Sequence, residues 1–392
     1  MKHGLKKIFY LLLMIITTLY IIFRIAYTLP TKLGFISMFL AMIVLLLEIW
    51  ETFDFFIYFI NILMVNKKKI EVPSINGITE FPDVDVFIAT YNESADLLTN
   101  TINACKAMEY PDKSKVHIYL CDDGNRKEIK NLAKDLGINY FSRDNNRNAK
   151  AGNYNNALNR TTSPYIATFD ADMAPTPDFL YKTIPFFMQK EKIGFVQLPQ
   201  SFLNPDIFQY RFGLENKIPF EQDYFYHDLQ IAKNNTNSVV YCGTNTVISR
   251  QALLDVNGFA KDCISEDIAT GMLIEAKGYK CIALPEVAAY GNAVNELSGF
   301  LKQRSRWGRG CVQMSKKYKF YGKISKKIGI TEMISPVYDS EEKSKNTGKI
   351  IPIYPLTYEL KQSTLRRIIE NGLSEVKGQL SETLPEYILK EN

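Results

Sequence analysis

The tripeptide Asp170-Ala171-Asp172 directly follows an apolar run, 164–169, which has the length and composition of a buried β-strand. Two carboxylates separated by one residue, where a strand opens into a loop, can share one hard divalent cation, because such cations prefer oxygen ligands. A cation held in this way can bind a diphosphate. Alone, the pattern is weak, since most Asp-x-Asp turns are solvated loops or helix caps.

Two other polar turns follow apolar runs in the same region. The run 85–89 leads into the turn 90–93, and the run 117–121 ends at the turn 122–124. Short apolar runs that alternate with helical stretches predict an α/β domain with a parallel sheet, and Ser94 is expected to cap the first helix. Such sheets bind ligands at the carboxyl ends of their strands. Three polar turns in this setting therefore favour a binding site over simple loop solvation.

The segment Lys150-Ala151-Gly152-Asn153 adds a cation to these acids. Gly152 lets the backbone approach a ligand closely, and Lys150 is placed to pair with a phosphate. On its own, this lysine would be a surface residue.

The composition argues against several other classes of protein. The chain has 392 residues, of which 46% are hydrophobic, so it is not disordered and can form about two or three domains. A net charge of +5 is too small to indicate a nucleic-acid machine. The six cysteines include no Cys-x-x-Cys pair, and with three histidines no zinc site is readable. The cysteines are therefore expected to be reduced residues of a cytosolic domain.

Two apolar stretches, 8–27 and 33–65, precede the predicted α/β domain. Each can supply the roughly 20 helical residues that cross a bilayer, the second only if Glu48 lies near an interface or pairs with another group. A cleaved signal peptide is the alternative for the first stretch. Lysines flank the pair on its outer sides, so the positive-inside rule places the N-terminus and everything after residue 69 in the cytoplasm. We therefore expect a multi-pass protein of the inner or plasma membrane.

The order of the motifs resembles that of the processive family 2 glycosyltransferases, the group of cellulose synthase. The motifs are the turns 122–124 and 170–172, then Ser-Glu-Asp at 265–267 and Gln-Arg-Ser-Arg-Trp at 303–307. The resemblance covers residues 84–313 and the two apolar stretches. It implies a GT-A type, Rossmann-like nucleotide-sugar-binding domain that uses Mg²⁺ or Mn²⁺. It also implies a membrane-bound inverting enzyme that builds a β-linked, cellulose-like glycan from a nucleotide sugar such as UDP-glucose.

The resemblance further implies roles for individual residues. Asp170 and Asp172 would bind the metal, and Asp267 would be the general base with Glu266 beside it in the catalytic motif. The substrate-binding residues that it implies are Thr90, Tyr91, Glu93, Asp122, Asp123, Lys150, Cys242, Gln303, Arg304, Arg306 and Trp307.

The chemistry of these residue types agrees with the resemblance. The departing diphosphate gains negative charge, which a metal, Lys150 and Arg306 can stabilise. Asp267 can take the proton of the attacking hydroxyl, and one base without a paired nucleophile implies direct displacement with inversion. A plain core tryptophan beside two arginines is the alternative interpretation of Trp307.

The sequence changes after about residue 319. The segments 335–338 and 351–357, followed by a helical stretch at 362–373, resemble part of the wedge domain of RecG-type DNA helicases, an oligonucleotide-binding β-barrel. We therefore expect a small partial β-barrel and helical tail. A processive synthase should instead continue with the helices of its glycan channel, and no apolar run of that length follows Val312. We favour a gene-model chimera with a truncated synthase part over a natural fusion or an unusual synthase tail.

These features divide the chain into three parts and leave rival functions open. The parts are two membrane helices (1–69), a glycosyltransferase domain (70–318) and the wedge-like tail (319–392). One rival is a transferase that adds a single sugar to a lipid, or that builds another polymer such as chitin or hyaluronan. DNA would be a partner only if the tail is a working domain, and an inactive membrane scaffold is the third rival. The motif at 303–307 favours processive synthesis, because single-transfer relatives usually lack it.

Overall fold

The computed structural model describes residues 3–30, 32, 34–64, 70–75, 80–215, 217–261 and 263–318. The strands are β1 (Val84–Thr90), β2 (Val116–Asp122), β3 (Asn139–Ser142), β4 (Tyr165–Asp170), β5 (Ala174–Pro175), β6 (Ile193–Gln197), β7 (Ser201–Phe202), β8 (Thr246–Ser249), β9 (Lys280–Ala283) and β10 (Ala289–Gly291). The helices are α1 (His3–Tyr27), α2 (Phe35–Met64), α3 (Ala95–Ala107), α4 (Lys127–Asp135), α5 (Ala149–Leu158), α6 (Phe179–Phe187), α7 (Ile207–Phe212), α8 (Gln230–Lys233), α9 (Arg250–Asp255), α10 (Glu266–Ala276) and α11 (Leu297–Tyr318).

Seven of the described strands form one sheet in the order β3-β2-β1-β4-β8-β6-β9. The four strands β3, β2, β1 and β4 are parallel, and β8 runs antiparallel to both of its neighbours. The predicted parallel arrangement is confirmed in these four strands, whereas the antiparallel strand β8 was not predicted. The strands β5, β10 and β7 form a second, smaller sheet in that order.

The predicted strands and their polar ends are confirmed. β1 and β4 bury most of their side chains, as apolar strands covered on both faces do. The register pairs Ala89 with Asp170 and Thr90 with Asp122, so the polar turns leave the sheet at one edge. Ser94 caps α3 as expected, since its hydroxyl accepts a hydrogen bond from the N–H of Leu97.

The reversed strand β8 has a direct consequence for this edge. Because β8 is antiparallel to β4, its first residue, Thr246, pairs with Thr168 near the carboxyl end of β4. The segment 241–245, which enters β8, is thereby brought beside Asp170. A parallel strand would have placed that segment at the opposite edge of the sheet.

The two long N-terminal helices confirm the predicted apolar segments. Lys7–Tyr27 and Phe35–Leu63 are long and apolar enough to cross a membrane, and in each only 6% of the most apolar window is buried. Core helices of a water-soluble domain are mostly buried, and the exposure of these two helices suggests a membrane-associated protein. Glu48 is paired, since the Nε of Arg24 lies 2.8 Å from its carboxylate.

The end of α2 contacts the α/β domain. Tyr58, Phe59 and Ile62 pack in one cluster with Leu229 and Ala232. The predicted tail, 319–392, and the expected boundary at residue 69 lie outside the described residues.

Candidate active site

A cavity of about 300 Å³ opens at the carboxyl edge of the large sheet. Its wall includes many of the residues that the motifs single out: Lys150, Asp170, Asp172, Cys242, Glu266, Asp267, Gln303, Arg304, Arg306 and Trp307. The expected nucleoside residues, in the turns 90–93 and 122–124, lie at the ends of the neighbouring strands β1 and β2. The fold therefore brings distant parts of the chain to one place.

Lys150 joins three parts of this edge. Its ammonium contacts the carboxylate of Asp170 and donates to the carbonyl of Gly243 at 2.9 Å. Burial alone would lower the pKa of Lys150, but the charge of Asp170 outweighs it and raises that pKa. Lys150 is therefore a permanent cation at the floor of the cavity, and its type and position suit a phosphate group.

The segment 241–245 is held against the end of β4. The hydroxyl of Thr244 accepts a hydrogen bond from the N–H of Asp170 at 3.0 Å. Gly243 has a φ of +78°, and a Cβ there would lie 3.1 Å from the Nζ of Lys150 and 3.2 Å from Oδ2 of Asp267. Only glycine adopts this conformation readily, and its backbone lies between the cation and Asp267.

The carboxylates of the cavity suit one divalent cation. Its acids are Asp170, Asp172, Glu266 and Asp267, and its cations are Lys150, Arg304 and Arg306. The pKa of Asp172 is raised to about 6, first by burial and second by the negative charge of Asp170. The two carboxylates therefore repel each other when both are ionised, and a bound cation would relieve that repulsion. In the described part of the chain, no group of three or more His, Cys, Asp or Glu side chains can hold a metal alone. Two carboxylates that share a cation with phosphate oxygens are typical of Mg²⁺ sites.

Asp267 and Glu266 begin α10 and lie side by side in the cavity. Burial raises the pKa of Asp267. Burial, and next the charge of Asp267, raise the pKa of Glu266 to about 7. A carboxylate with a raised pKa is a better proton acceptor near neutral pH than an ordinary aspartate. Asp267 therefore has the setting of a general base.

Helix α11 closes the cavity and is anchored to the turn before α10. A Cβ on Gly310 would lie 2.0 Å from the Oγ of Ser265 and 2.8 Å from its backbone N. The amide side chain of Gln313 accepts from the N–H of Ile264 at 3.0 Å. The missing side chain of Gly310 thus permits the close contact between α11, which carries Trp307 and Arg306, and the turn before α10.

Replacing Gly310 with alanine should move α11 away from Ser265 and lower the thermal unfolding midpoint of the detergent-solubilised protein. Overpacking of this kind costs about 1–3 kcal/mol. Gly308 is the matched control, since it lies on the same helix and a Cβ there would meet nothing within 4 Å. Gly308→Ala should leave the midpoint unchanged or raise it slightly, because alanine favours helix by about 1 kcal/mol. Equal midpoints for the two variants would show that the contact with Ser265 is not tight.

The turn 90–93 is preorganised by its own acid. The carboxylate of Glu93 accepts from the hydroxyl of Thr90 at 2.7 Å and from the N–H of Tyr91 at 2.8 Å. Burial would raise the pKa of Glu93, but these hydrogen bonds lower it on balance. The ring of Tyr91 is exposed at 53%, so one face is open to a planar ligand.

Asp122 and Asp123 differ in their surroundings. Asp122 is fully buried, and its carboxylate accepts from the N–H groups of Gly124 and Arg126 and from the hydroxyl of Tyr140. It therefore braces the turn from within. Asp123 is paired through both of its oxygens with Arg143.

Arg143 also holds the loop before Lys150. Its guanidinium donates to the carbonyls of Arg147 at 2.6 Å and Ala149 at 2.8 Å. Asn148 and Ala149 have φ angles of +63° and +41°, a conformation that is uncommon for residues other than glycine. The pairing with Arg143 fixes this strained turn and so fixes where Lys150 leaves it.

Cys242 lines the cavity as a neutral thiol. Burial first, and the charge of Asp267 second, raise its pKa above that of an ordinary cysteine. Its backbone N–H donates to the side chain of Gln197 at 2.8 Å. A thiol in this state is a weak nucleophile, so a covalent role is disfavoured.

The motifs did not single out several polar and aromatic residues of the wall. These are Gln200, Gln222, Phe225, Tyr226 and Asn292. Gln200 and Asn292 adjoin short strands of the small sheet, and the rule of polar residues at strand ends would have found them had those strands been recognised. Phe225 and Tyr226 begin a single π-helical turn, 225–229, which leaves no clear mark in the sequence.

Two family models match separate parts of the chain. The family model RecG wedge domain matches residues 304–376. Of these, the structure describes only 304–318, which belong to α11.

Two curated relatives are cellulose synthase catalytic subunits (UDP-forming). The chain is 37% identical over 259 residues to the subunit of Xanthomonas axonopodis pv. citri (strain 306), and the matched region covers 66% of this chain and 35% of the relative. The chain is 39% identical over 235 residues to the subunit of Pseudomonas fluorescens (strain SBW25), and the matched region covers 60% of this chain and 32% of the relative. The chain thus spans about a third of the length of these relatives.

A solved structure shows the same fold. It is a mannosyltransferase of Pyrobaculum calidifontis in complex with GDP-Man and Mn²⁺, with a TM-score of 0.55 and 21% identity, which covers 69% of this chain and 72% of that one. The mixed sheet and this likeness confirm the expected GT-A-like fold. Residues 85–256 match the family model Glycosyl transferase family 2, and the chain therefore carries a domain of glycosyl transferase family 2.

Proposed function

We propose that this protein is a membrane-bound, inverting glycosyltransferase that moves sugar from a UDP-sugar, such as UDP-glucose, onto a growing β-linked glycan of the cellulose type. One observation carries this proposal. A single cavity contains the acid pair Asp170 and Asp172, the buried Asp267 and the cations Lys150 and Arg306. The named relatives, which are UDP-forming cellulose synthase subunits, support the donor and the polymer.

Different residues at the cavity have different roles in the proposed reaction. The turns 90–93 and 122–124 bind the nucleoside, with the exposed ring of Tyr91 as a stacking surface. Lys150 and Arg306 bind the diphosphate and offset the charge that it gains as it leaves. Asp267 accepts the proton of the attacking acceptor hydroxyl, with Glu266 beside it. Cys242 and Gln303 contribute to the wall around the sugars.

Asp170 and Asp172 would hold Mg²⁺ or Mn²⁺ against the diphosphate. When bound, such a metal acts as a Lewis acid that stabilises the leaving group. Lys150, which already contacts Asp170, holds that carboxylate in place.

Inversion follows from the arrangement of the acids. Retention through a glycosyl-enzyme requires a nucleophile, usually a carboxylate, as well as an acid or base. In our assignment Asp170 and Asp172 hold the metal and Glu266 supports Asp267, so no carboxylate of the described cavity wall is left for that role. Asp267 acting as a base on the acceptor gives direct displacement. An α-linked donor then yields a β-linked product.

The N-terminal helices place this chemistry at a membrane. The Nζ of Lys7 donates to the carbonyl of Leu63 at 2.8 Å, so the start of α1 and the end of α2 lie on the same side. That side adjoins the catalytic domain through the cluster at Tyr58. We assign residues 1–69 to a two-helix anchor of the inner or plasma membrane and 70–318 to a cytoplasmic transferase domain.

Turnover of nucleotide sugars by membranes that contain the full chain tests this function. We expect radiolabel from UDP-glucose, in preference to UDP-N-acetylglucosamine or GDP-mannose, to enter a product in the presence of Mg²⁺ or Mn²⁺ but not of EDTA. The product should exceed a single addition in size and be degraded by a β-glucanase. One sugar per acceptor would indicate a single-transfer enzyme, and no turnover of any UDP-sugar would refute the proposal.

A further inference from the structure

The segment 240–244 leads into β8 and reaches the cavity at the carboxyl edge of the large sheet. It belongs to neither a helix nor a strand, and Val240 and Cys242 lie in the wall of the cavity. Buried backbone N–H and C=O groups that no helix or strand pairs need other partners. The groups that supply these partners therefore decide where this part of the wall lies.

Gln230 of α8 pairs with the backbone of Val240 as a neighbouring strand would. Its Nε2 donates to the carbonyl of Val240 at 2.7 Å, and its Oε1 accepts from the N–H of Val240 at 2.9 Å. The same Nε2 lies 3.4 Å from the Sγ of Cys242. Gln230 is 1% exposed, so water does not compete for these hydrogen bonds. Gln230 thus satisfies both backbone groups of Val240 and also contacts Cys242.

Gln197, the last residue of β6, holds the other half of the segment. Its Oε1 accepts from the N–H of Cys242 at 2.8 Å and from the hydroxyl of Thr246 at 2.7 Å. Its Nε2 donates to the carbonyl of Thr244 at 2.9 Å. Gln197 is also 1% exposed. Two buried amide side chains therefore take the place of a strand partner along 240–244.

Two further contacts link the segment to charged residues of the cavity. The carbonyl of Gly243 accepts from the ammonium of Lys150 at 2.9 Å. The hydroxyl of Thr244 accepts from the backbone N–H of Asp170 at 3.0 Å. Hydrogen bonds weaken steeply when their distance and angle leave the normal range. A shift of the segment would therefore displace the lysine that suits a phosphate and the aspartate that suits a divalent cation.

We propose that Gln197 and Gln230 are positioning residues. By holding the segment 240–244, they place Lys150 and Asp170 to bind a nucleoside diphosphate with its divalent cation. This inference rests on the proposed function. Neither glutamine lies in the cavity wall, so each acts through the segment and not by touching the ligand. Their replacement should therefore weaken the binding of UDP with Mg²⁺, although no group that contacts the ligand is removed.

Calorimetric titration of the full chain in detergent with UDP and Mg²⁺ tests this proposal. The variants are Gln197→Met and Gln230→Met, which keep the length of the side chain and remove its hydrogen-bonding groups. Asn155→Leu is the matched control. Asn155 of α5 is buried and makes the same pair of hydrogen bonds, to the N–H and the carbonyl of Phe259 at 2.9 Å each, outside the cavity wall. The thermal unfolding midpoint is measured for every protein.

We expect both glutamine variants to raise the dissociation constant of UDP about fivefold or more, which corresponds to about 1 kcal/mol and is the low end of the cost of an unpaired buried backbone group. Asn155→Leu should stay within about twofold of the parent, although all three variants lower the midpoint. The two effects separate because misfolded molecules reduce the fraction of protein that binds UDP, whereas a displaced site changes the dissociation constant itself. The Mg²⁺ concentration required for half-maximal UDP binding should rise in the glutamine variants alone.

An unchanged dissociation constant of UDP in both glutamine variants, with a lowered midpoint, would overturn the proposal, because the two side chains would then only stabilise the fold. An equal rise in Asn155→Leu would also overturn it, since the effect would be a general loosening of the domain. If a methionine variant does not fold, Gln197→Asn or Gln230→Asn replaces it, and the shorter amide should give a smaller effect in the same direction. A parent protein that does not bind UDP would instead refute the proposed function.

Discussion

Asp267→Asn should reduce sugar transfer by about 10²–10⁴-fold, the range that a general base contributes, while donor binding changes little. Asparagine keeps the size of the side chain but cannot accept the proton of the acceptor hydroxyl. Asp267 and Lys150 both lie beside Gly243 in the cavity wall, and burial raises the pKa of Asp267. The measurements are initial rates with radiolabelled UDP-glucose and calorimetric titration with UDP and Mg²⁺.

Asp135→Asn provides the control for a lost negative charge. Asp135 is exposed at the end of α4, away from the carboxyl edge of the sheet, so its replacement should affect neither quantity. If Asp267→Asn abolished UDP binding together with transfer, Asp267 would be part of the donor site or of the fold. The assignment as base would then be wrong.

Asp172→Asn should lower transfer by about 10²–10³-fold, comparable to the loss of one strong stabiliser of developing charge, and should also weaken donor binding. In contrast to Asp267, Asp172 is expected to act through the metal that carries the diphosphate. The pKa of Asp172, raised to about 6 by burial and the neighbouring Asp170, reflects two close carboxylates that a cation would stabilise. Its replacement should therefore raise the Mg²⁺ concentration required for half-maximal transfer.

Glu191→Gln is the control for this variant. Its carboxylate is exposed and pairs with Lys280 at the surface, and such pairs contribute little to stability. Treatment of the unaltered protein with EDTA should reproduce the effect of Asp172→Asn, and added Mg²⁺ should reverse it only in the unaltered protein. An Asp172→Asn protein with the normal metal requirement would remove Asp172 from the metal site.

The carboxyl ends of the central strands were predictable because their signal is local. Each of β1, β2 and β4 is an apolar run that ends in polar residues, and parallel pairing brings such ends to one edge. Asp170 and the turn 90–93 follow from this rule alone. Ser94 was equally readable, since a cap depends on only four consecutive residues.

The antiparallel direction of β8, and the position that it gives to the segment before it, could not be predicted from the sequence. Thr246–Ser249 has only four residues, and nothing in so short a segment indicates the direction in which the strand pairs. The antiparallel pairing with β4 nevertheless decides where Gly243 and Cys242 lie. The resemblance to a known family supplied a role for Cys242, whereas the local pattern could not.

Contacts between side chains that are far apart in the chain could not be predicted from the sequence either. Asp122 and Asp123 look alike in the motif, yet the buried Asp122 pairs with the nearby Arg126, whereas Asp123 pairs with Arg143. Arg304 and Glu221 are separated by 83 positions, so only the folded chain brings them together. Such contacts depend on tertiary packing and leave no periodic mark.

The most direct test of the proposed active site is a crystal or cryo-electron structure of the protein with UDP and Mn²⁺. We predict one Mn²⁺ bound between the diphosphate and the carboxylates of Asp170 and Asp172. The β-phosphate should lie next to Lys150 and Arg306, and Asp267 should remain open to the acceptor. UDP bound elsewhere on the protein, or Mn²⁺ bound without contact to either aspartate, would contradict this prediction.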